Sequence, residues 1–286
     1  MSDEPVYGRA EMVIPGVRRL LAPNPGPFTL HGTGTYIVGE GTVAVIDPGP
    51  DDPEHLRALL AAVNGETISH ILVTHTHRDH SPLAVELKAR TGAVVTGCAP
   101  LVLEDDGPRS DASFDDSYAP DHVMADGEAV SGPGWSLVAL LTPGHTSNHV
   151  CFAYPEQAAL FTGDHVMGWS TTVVSPPDGN MADYMDSLEK LRTREDRLYL
   201  PTHGAPIQNP QRLVRGLILH RRQREQQILT AIDDGRRDVP DMVARMYAGV
   251  DPRLHGAAGR SVLAHLIDLE TRGMVARDGN MWQRAA

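Results

Sequence analysis

Within six consecutive residues the chain presents His75, His77, Asp79 and His80, in the run H-T-H-R-D-H. Neutral imidazoles and a carboxylate suit zinc or a related divalent first-row metal. The run follows I-L-V-T, an apolar segment that reads as a buried strand. In extended chain His75 and His77 point the same way and can grip one ion. Asp79 and His80 follow as the chain turns and can reach a second. Further candidates stand where strands are expected to end: His145 in P-G-H-T, Asp164 in G-D-H and His203 in T-H-G. Loops held by a rigid scaffold are where chemistry is most readily positioned.

The elements that would position these residues alternate. Short β-rich runs at 35–38 and 43–46 flank G-E-G-T and read as a hairpin. Residues 53–63 form an expected helix, capped by Asp51 or Asp52, started by Pro53 and apolar on the face of Leu56, Leu59, Leu60 and Val63. Strands are expected at 68–74, 93–96, 136–141, 150–153, 159–161 and 198–200, with helices near 83–90 and 181–191. Interleaving of this kind implies an α/β protein with sheets covered by helices. From 210 the pattern changes to a long helix at 211–233, shorter ones at 241–247 and 259–271, and a hairpin around Asp278-Gly279. Helices followed by a small hairpin describe a winged helix. The expected division is therefore 1–209 and 210–286.

Charge divides the same way. Residues 210–286 carry 13 Arg and 9 Asp+Glu, a net +4, so the preceding 209 residues hold −16 and the whole chain −12. A protein this acidic is not a polyanion-coating basic module as a whole. Cys98 and Cys151 cannot form a disulfide framework and read as core thiols in a reducing compartment. No apolar run approaches the roughly 18–20 residues of a membrane span, and the acidic M-S-D-E start lacks an export signal's basic-then-apolar pattern. The expectation is a cytoplasmic protein with no membrane partner.

Taken together, T-H-T-H-R-D-H, P-G-H-T, T-G-D and H-G stand in the order of the metallo-β-lactamase superfamily, which the chain resembles. T-P-G-H-T-S-N-H, D-Y-M-D-S-L, H-G-A-P-I and H-R-R-Q-R-E-Q-Q-I-L make it most similar to the β-lactamase-like protein 2 group, a hydrolase domain with a C-terminal winged helix. The resemblance covers residue 30 to the end. It implies an αββα sandwich, two Zn2+ or other divalent first-row ions, and a metal-bridging hydroxide as nucleophile. By motif position it assigns His75, His77 and His145 to one ion and Asp79, His80 and His203 to the other. Asp164 would bridge both, and Asp79 would also orient the nucleophile. Thr202 departs from the family's usual Gly before this His.

Other residues carry two readings each. His149 either supports the ligands or meets substrate, and Asp47 either orients a ligand histidine or stabilises a turn. Thr171, Thr172 and Tyr184 either contact an anionic substrate group or pack. The arginines around Arg221, Arg222 and Arg224 either track phosphates or form a solvated helix face. The winged helix itself could serve only for packing or for a homodimer. Three functions follow. Resemblance to the β-lactamase-like protein 2 group implies single-stranded RNA cleavage as an endoribonuclease. Hydrolysis of a thioester or other acyl bond, as in hydroxyacylglutathione hydrolases, is the alternative, and the −16 catalytic half favours its small substrates. A winged-helix nucleic-acid-binding regulator with a metal-sensing domain is the third.

Overall fold

The computed structural model describes residues 4–102, 114–249 and 251–285. Its first sheet runs in spatial order β1 (Glu11–Ile14), β2 (Val17–Leu21), β3 (Gly34–Val38), β4 (Thr42–Ile46), β5 (Thr67–Val73), β6 (Val94–Gly97) and β7 (His122–Val123). The second contains β8 (Ala129–Gly132), β9 (Trp135–Leu141), β10 (Val150–Tyr154), β11 (Ala159–Gly163) and β12 (Leu198–Pro201), ordered β12-β11-β10-β9-β8. Helices α1 (Pro53–Ala62) and α2 (Leu83–Thr91) supply the crossovers that make β4, β5 and β6 parallel. Asp52 caps α1 through Glu54 N and His55 N.

The two sheets share one core. Tyr36, Ile46 and Ile71 of the first are buried in the same cluster as Leu137, Phe152 and Phe161 of the second. The Tyr36 and Phe161 rings meet edge to face at 5.1 Å. β5 reads T-I-S-H-I-L-V, and its last three residues are buried whichever face they occupy, as expected for an interior parallel strand. At one end the sheets are also joined by backbone: Val150 N donates to Thr74 O at 2.8 Å, and Gly34 N to Thr202 O at 2.9 Å. That end is where the candidate ligands emerge.

The chain divides into two compact units. Met1–Thr142, Asn148–Ser170 and Glu195–Pro210 form the first; Pro143–Ser147, Thr171–Arg194 and Gln211–Ala286 form the second. The second holds α3 (Met181–Arg192), most of α4 (Pro210–Asp233), α5 (Val239–Met246), α6 (His255–Thr271) and the hairpin β13 (Val275–Asp278) and β14 (Met281–Arg284). Met242, Val243, Val262, Leu266, Leu269 and Trp282 make its core, in the helix–helix–hairpin order of a winged helix.

Several elements differ from the sequence-based expectation. β1 and β2 were not expected, because Arg18 and Arg19 interrupt the apolar pattern of a strand whose Val17 and Leu20 are buried. α5 starts at Val239 because the Asp238 carboxylate caps Asp241 N at 2.8 Å. α6 begins four residues early, at His255. Gly259 lies inside it, where a Cβ would meet Val239 at 3.6 Å, an ordinary contact, and the helix runs through this glycine unbroken.

Candidate metal centre

Each candidate of the first unit follows the C-terminal end of a strand. β4 leads to Asp47, β5 to His75–His80, β11 to Asp164 and β12 to His203. Ligand atoms of Asp79, His80 and His203 lie within 4.8 Å of one another, and those of His75, His77 and Asp164 do the same. The two clusters adjoin: His80 Nε2 is 3.3 Å from Asp79 Oδ2 and 3.6 Å from Asp164 Oδ1, and His203 Nε2 is 3.2 and 3.4 Å from the same oxygens.

Neighbouring groups decide which nitrogen of each ring offers a lone pair. Asp47 accepts a hydrogen bond from His80 Nδ1 at 2.9 Å, so His80 presents Nε2. The Gly32 carbonyl does the same for His203 Nδ1 at 3.1 Å. Thr74 Oγ1 donates to Asp47 Oδ2 at 2.8 Å and therefore accepts from His75 Nδ1 at 3.0 Å. That leaves His75 Nε2, which sits 2.8 Å from His77 Nδ1. Thr33 Oγ1 donates to Asp79 Oδ2 at 3.0 Å. Asp47 thus orients a histidine and anchors a turn together, since Thr74 N and Thr202 Oγ1 also donate to it. Thr202, the departure from the family's usual Gly, has this bond as its structural consequence.

Sequence reasoning did not find Thr33, Thr74 or the Gly32 carbonyl. Their only local signal is a hydroxyl or glycine near a strand end, which is common everywhere. His149 is 1% exposed, and Asp164 N donates to its Nε2 at 3.2 Å while Nδ1 meets Thr142 Oγ1 at 2.9 Å. A Cβ on Gly163 would come 2.5 Å from that Nε2, and Gly163 has φ +50°, so glycine is required at the approach to Asp164.

Electrostatics follow from packing two carboxylates among imidazoles. Burial works against the Asp79 charge, yet His80 and His203 hold its carboxyl well below the usual carboxylate range. Asp164 behaves in the same way, against the same burial. Burial also opposes the His80 cation, but Asp79, Asp164 and Asp47 push it well above the ordinary imidazole value. His203, likewise opposed by burial, is pushed up to about 10, chiefly by Asp164. A metal entering here displaces protons.

The remaining candidates lie in the second unit. His145 occupies the turn Pro143–Ser147, with Nδ1 2.7 Å from the Val173 carbonyl. Thr171 is exposed and Thr172 buried. Tyr184 is fully buried, with the Arg221 guanidinium 5.0 Å above its ring. The arginines noted in the sequence are largely engaged. Arg222 pairs with Glu189 at 3.1 Å, Arg221 donates to the Thr172 carbonyl, and Arg224 stacks on Tyr247 at 4.4 Å. Cys98 and Cys151 are buried, and burial pushes the Cys98 thiol up. Among the described residues no helix is long and apolar enough to cross a membrane.

Residues 28–203 match the model of the metallo-beta-lactamase superfamily. The chain belongs to this superfamily. Residues 239–282 match the beta-lactamase associated winged helix domain. An atrochrysone carboxyl ACP thioesterase of Aspergillus fumigatus is 35% identical over 240 residues, covering 82% of this chain and 70% of that protein. Two solved structures share the fold at 22% identity. A beta-lactamase domain protein from Burkholderia ambifaria superposes with TM-score 0.80, covering 99% of this chain and 95% of that one. A metallo-beta-lactamase family protein from Thermus thermophilus does so with TM-score 0.77, covering 96% and 100%. The chain is therefore a hydrolase of the metallo-β-lactamase superfamily, with a C-terminal winged helix.

Proposed function

We propose that this hydrolase cleaves a thioester or related acyl bond, in a catalytic domain 1–209 followed by a winged-helix domain 210–286. The observation that carries this reading is the 35% identity to a carboxyl ACP thioesterase over four-fifths of the chain. It displaces RNA cleavage, the leading expectation from the sequence. Of the arginines that would track a phosphate backbone, Arg222 is paired with Glu189, Arg224 is stacked on Tyr247 and Arg221 is bonded to the Thr172 carbonyl. The −16 of residues 1–209 also opposes a long polyanion.

The donor set fits two divalent first-row metals: nitrogen and oxygen ligands, no sulfur, and a buried His80 Nε2 that makes no hydrogen bond. His75, His77 and His145 would hold one ion, Asp79, His80 and His203 the other, with Asp164 shared. Ions bound there supply Lewis acidity toward an acyl carbonyl and a lowered pKa for water. The chain's own residues set the geometry for this. Asp47 and the Gly32 carbonyl aim the two imidazoles of the second set, and Thr33 holds the Asp79 oxygen that would orient the attacking water.

Metal analysis together with a panel of acyl thioesters, unstructured RNA and β-lactams tests the reading, with Asp164→Asn as control. Metal-dependent thioester hydrolysis, lost in Asp164→Asn and on chelation, is expected. RNA cleavage that depends on Asp164, with thioesters untouched, refutes it.

A further inference from the structure

His145 stands in a turn that the second unit clamps on several sides. Asn180 N donates to Gly144 O at 3.0 Å, Ser187 Oγ to Pro143 O at 2.8 Å, and Ser147 N to Asp178 Oδ1 at 3.1 Å. Gly144 has φ +132°, and a Cβ there would lie 2.3 Å from Tyr184 Cα. With the turn fixed, the remaining freedom of His145 is rotation of its ring. The Val173 carbonyl removes it by accepting from Nδ1 at 2.7 Å, which assigns the lone pair to Nε2.

What holds Val173 comes from the C-terminal tail. Arg221, midway along α4, is 3% exposed. Its Nη2 donates to the carbonyl of Thr172, and its guanidinium lies over the Tyr184 ring. The Thr172 and Val173 carbonyls belong to successive peptide planes hinged at one Cα, so fixing the first restricts the second. A guanidinium suits this place because one plane can donate along its edge and stack through its face, which an ammonium cannot do.

We infer that Arg221 is a positioning residue for one candidate ligand: through the Thr172–Val173 backbone it aims the His145 imidazole. This rests on the proposed reading of His145 as a ligand. It also gives the buried arginine a role other than phosphate binding.

The test is Zn2+ titration against a chromophoric chelator for wild type, His145→Ala, Arg221→Met and Arg221→Lys, with thermal melts of the metal-free proteins. Loss of supporting groups around ligands typically costs 10–100-fold in metal affinity. Arg221→Met is expected to weaken one of two binding steps about tenfold, near the lower limit because it acts through backbone. The other step should be unchanged, and Arg221→Lys should recover part of the loss. Two results overturn the inference while leaving the ligand reading intact, given that His145→Ala loses a site: wild-type affinity at both steps in Arg221→Met, or equal weakening of both. Should Arg221→Met not fold, Arg221→Lys decides by the same criteria. Two wild-type sites in His145→Ala overturn the ligand reading and the inference with it.

Discussion

Asp47 is the most exposed point of the proposed chemistry to a one-atom change. Its carboxylate accepts from His80 Nδ1 at 2.9 Å, Thr74 N at 2.8 Å, Thr74 Oγ1 at 2.8 Å and Thr202 Oγ1 at 3.1 Å, and it is fully buried. Asp47→Asn keeps the volume but replaces one acceptor oxygen with an NH2. Either that NH2 takes the place of Oδ1 and confronts Thr74 N–H, or it takes the place of Oδ2 and confronts His80 Nδ1–H together with the Thr74 and Thr202 hydroxyls. In the second case the imidazole must move its proton to Nε2, where a lone pair is wanted for metal. A hydrogen bond to a charged group contributes about 1.5–3 kcal/mol, so the metal-free protein should lose about 2 kcal/mol. Metal affinity at the His80 site should fall about 10–100-fold. Urea unfolding of the metal-free protein measures the first quantity, and chelator competition the second. Wild-type affinity in Asp47→Asn would show that the carboxylate does not set the His80 tautomer, and the whole reading of ring orientation would fail with it.

Acid should weaken the second unit through His265. Burial first, then the charges of Arg221, His220, Arg272 and Arg224, lower its pKa from 6.5 to about 3. The unfolded chain binds this proton below 6.5 and the folded one does not. The fold is therefore undisturbed above 6.5 and loses stability as pH falls toward 3, by about 2 kcal/mol at pH 5. His265→Leu should flatten the pH 7 to pH 5 difference in chemical denaturation by that amount; equal losses in both proteins count against it. Thr202→Gly, which restores the family's usual residue, removes a single hydrogen bond to Asp47. It should cost about 1 kcal/mol in urea unfolding while two metals still bind; loss of a metal would refute this. Gly144→Ala should cost about 3 kcal/mol, since its Cβ would overlap Tyr184 backbone at 2.3 Å. An unchanged melting midpoint would show that the turn can move.

The sandwich and the winged helix were legible because their elements obey local rules. The helix 53–63 shows its cap, its first-turn proline and its apolar face in the chain itself. The D-G signal near the end marks a hairpin, and the chain does turn there, one residue later than expected: Asp278 pairs with Met281, so Gly279 and Asn280 make the turn. The hairpin β1–β2 was not legible, because its arginines serve Glu66 and the Gly204 carbonyl, far along the chain. The ligand candidates were legible for a different reason. Imidazoles and carboxylates at strand ends are rare enough to count, whether or not their partners are known.

What those ligands rest on was decided by the tertiary structure alone. Thr33 meets Asp79 across 46 positions of sequence, Thr202 meets Asp47 across 155, and the Gly32 carbonyl meets His203 across 171. A hydroxyl or a carbonyl is too common to announce itself, and it becomes specific only when a fold places it within about 3 Å of one ring nitrogen. The arginines taught the same lesson in reverse. Their clustering left a phosphate-tracking surface and a solvated helix face both open, whereas folding engages Arg222 with Glu189, Arg224 with Tyr247 and Arg221 with the Thr172 carbonyl. Charge is a property of composition, but availability of that charge depends on which neighbours packing supplies.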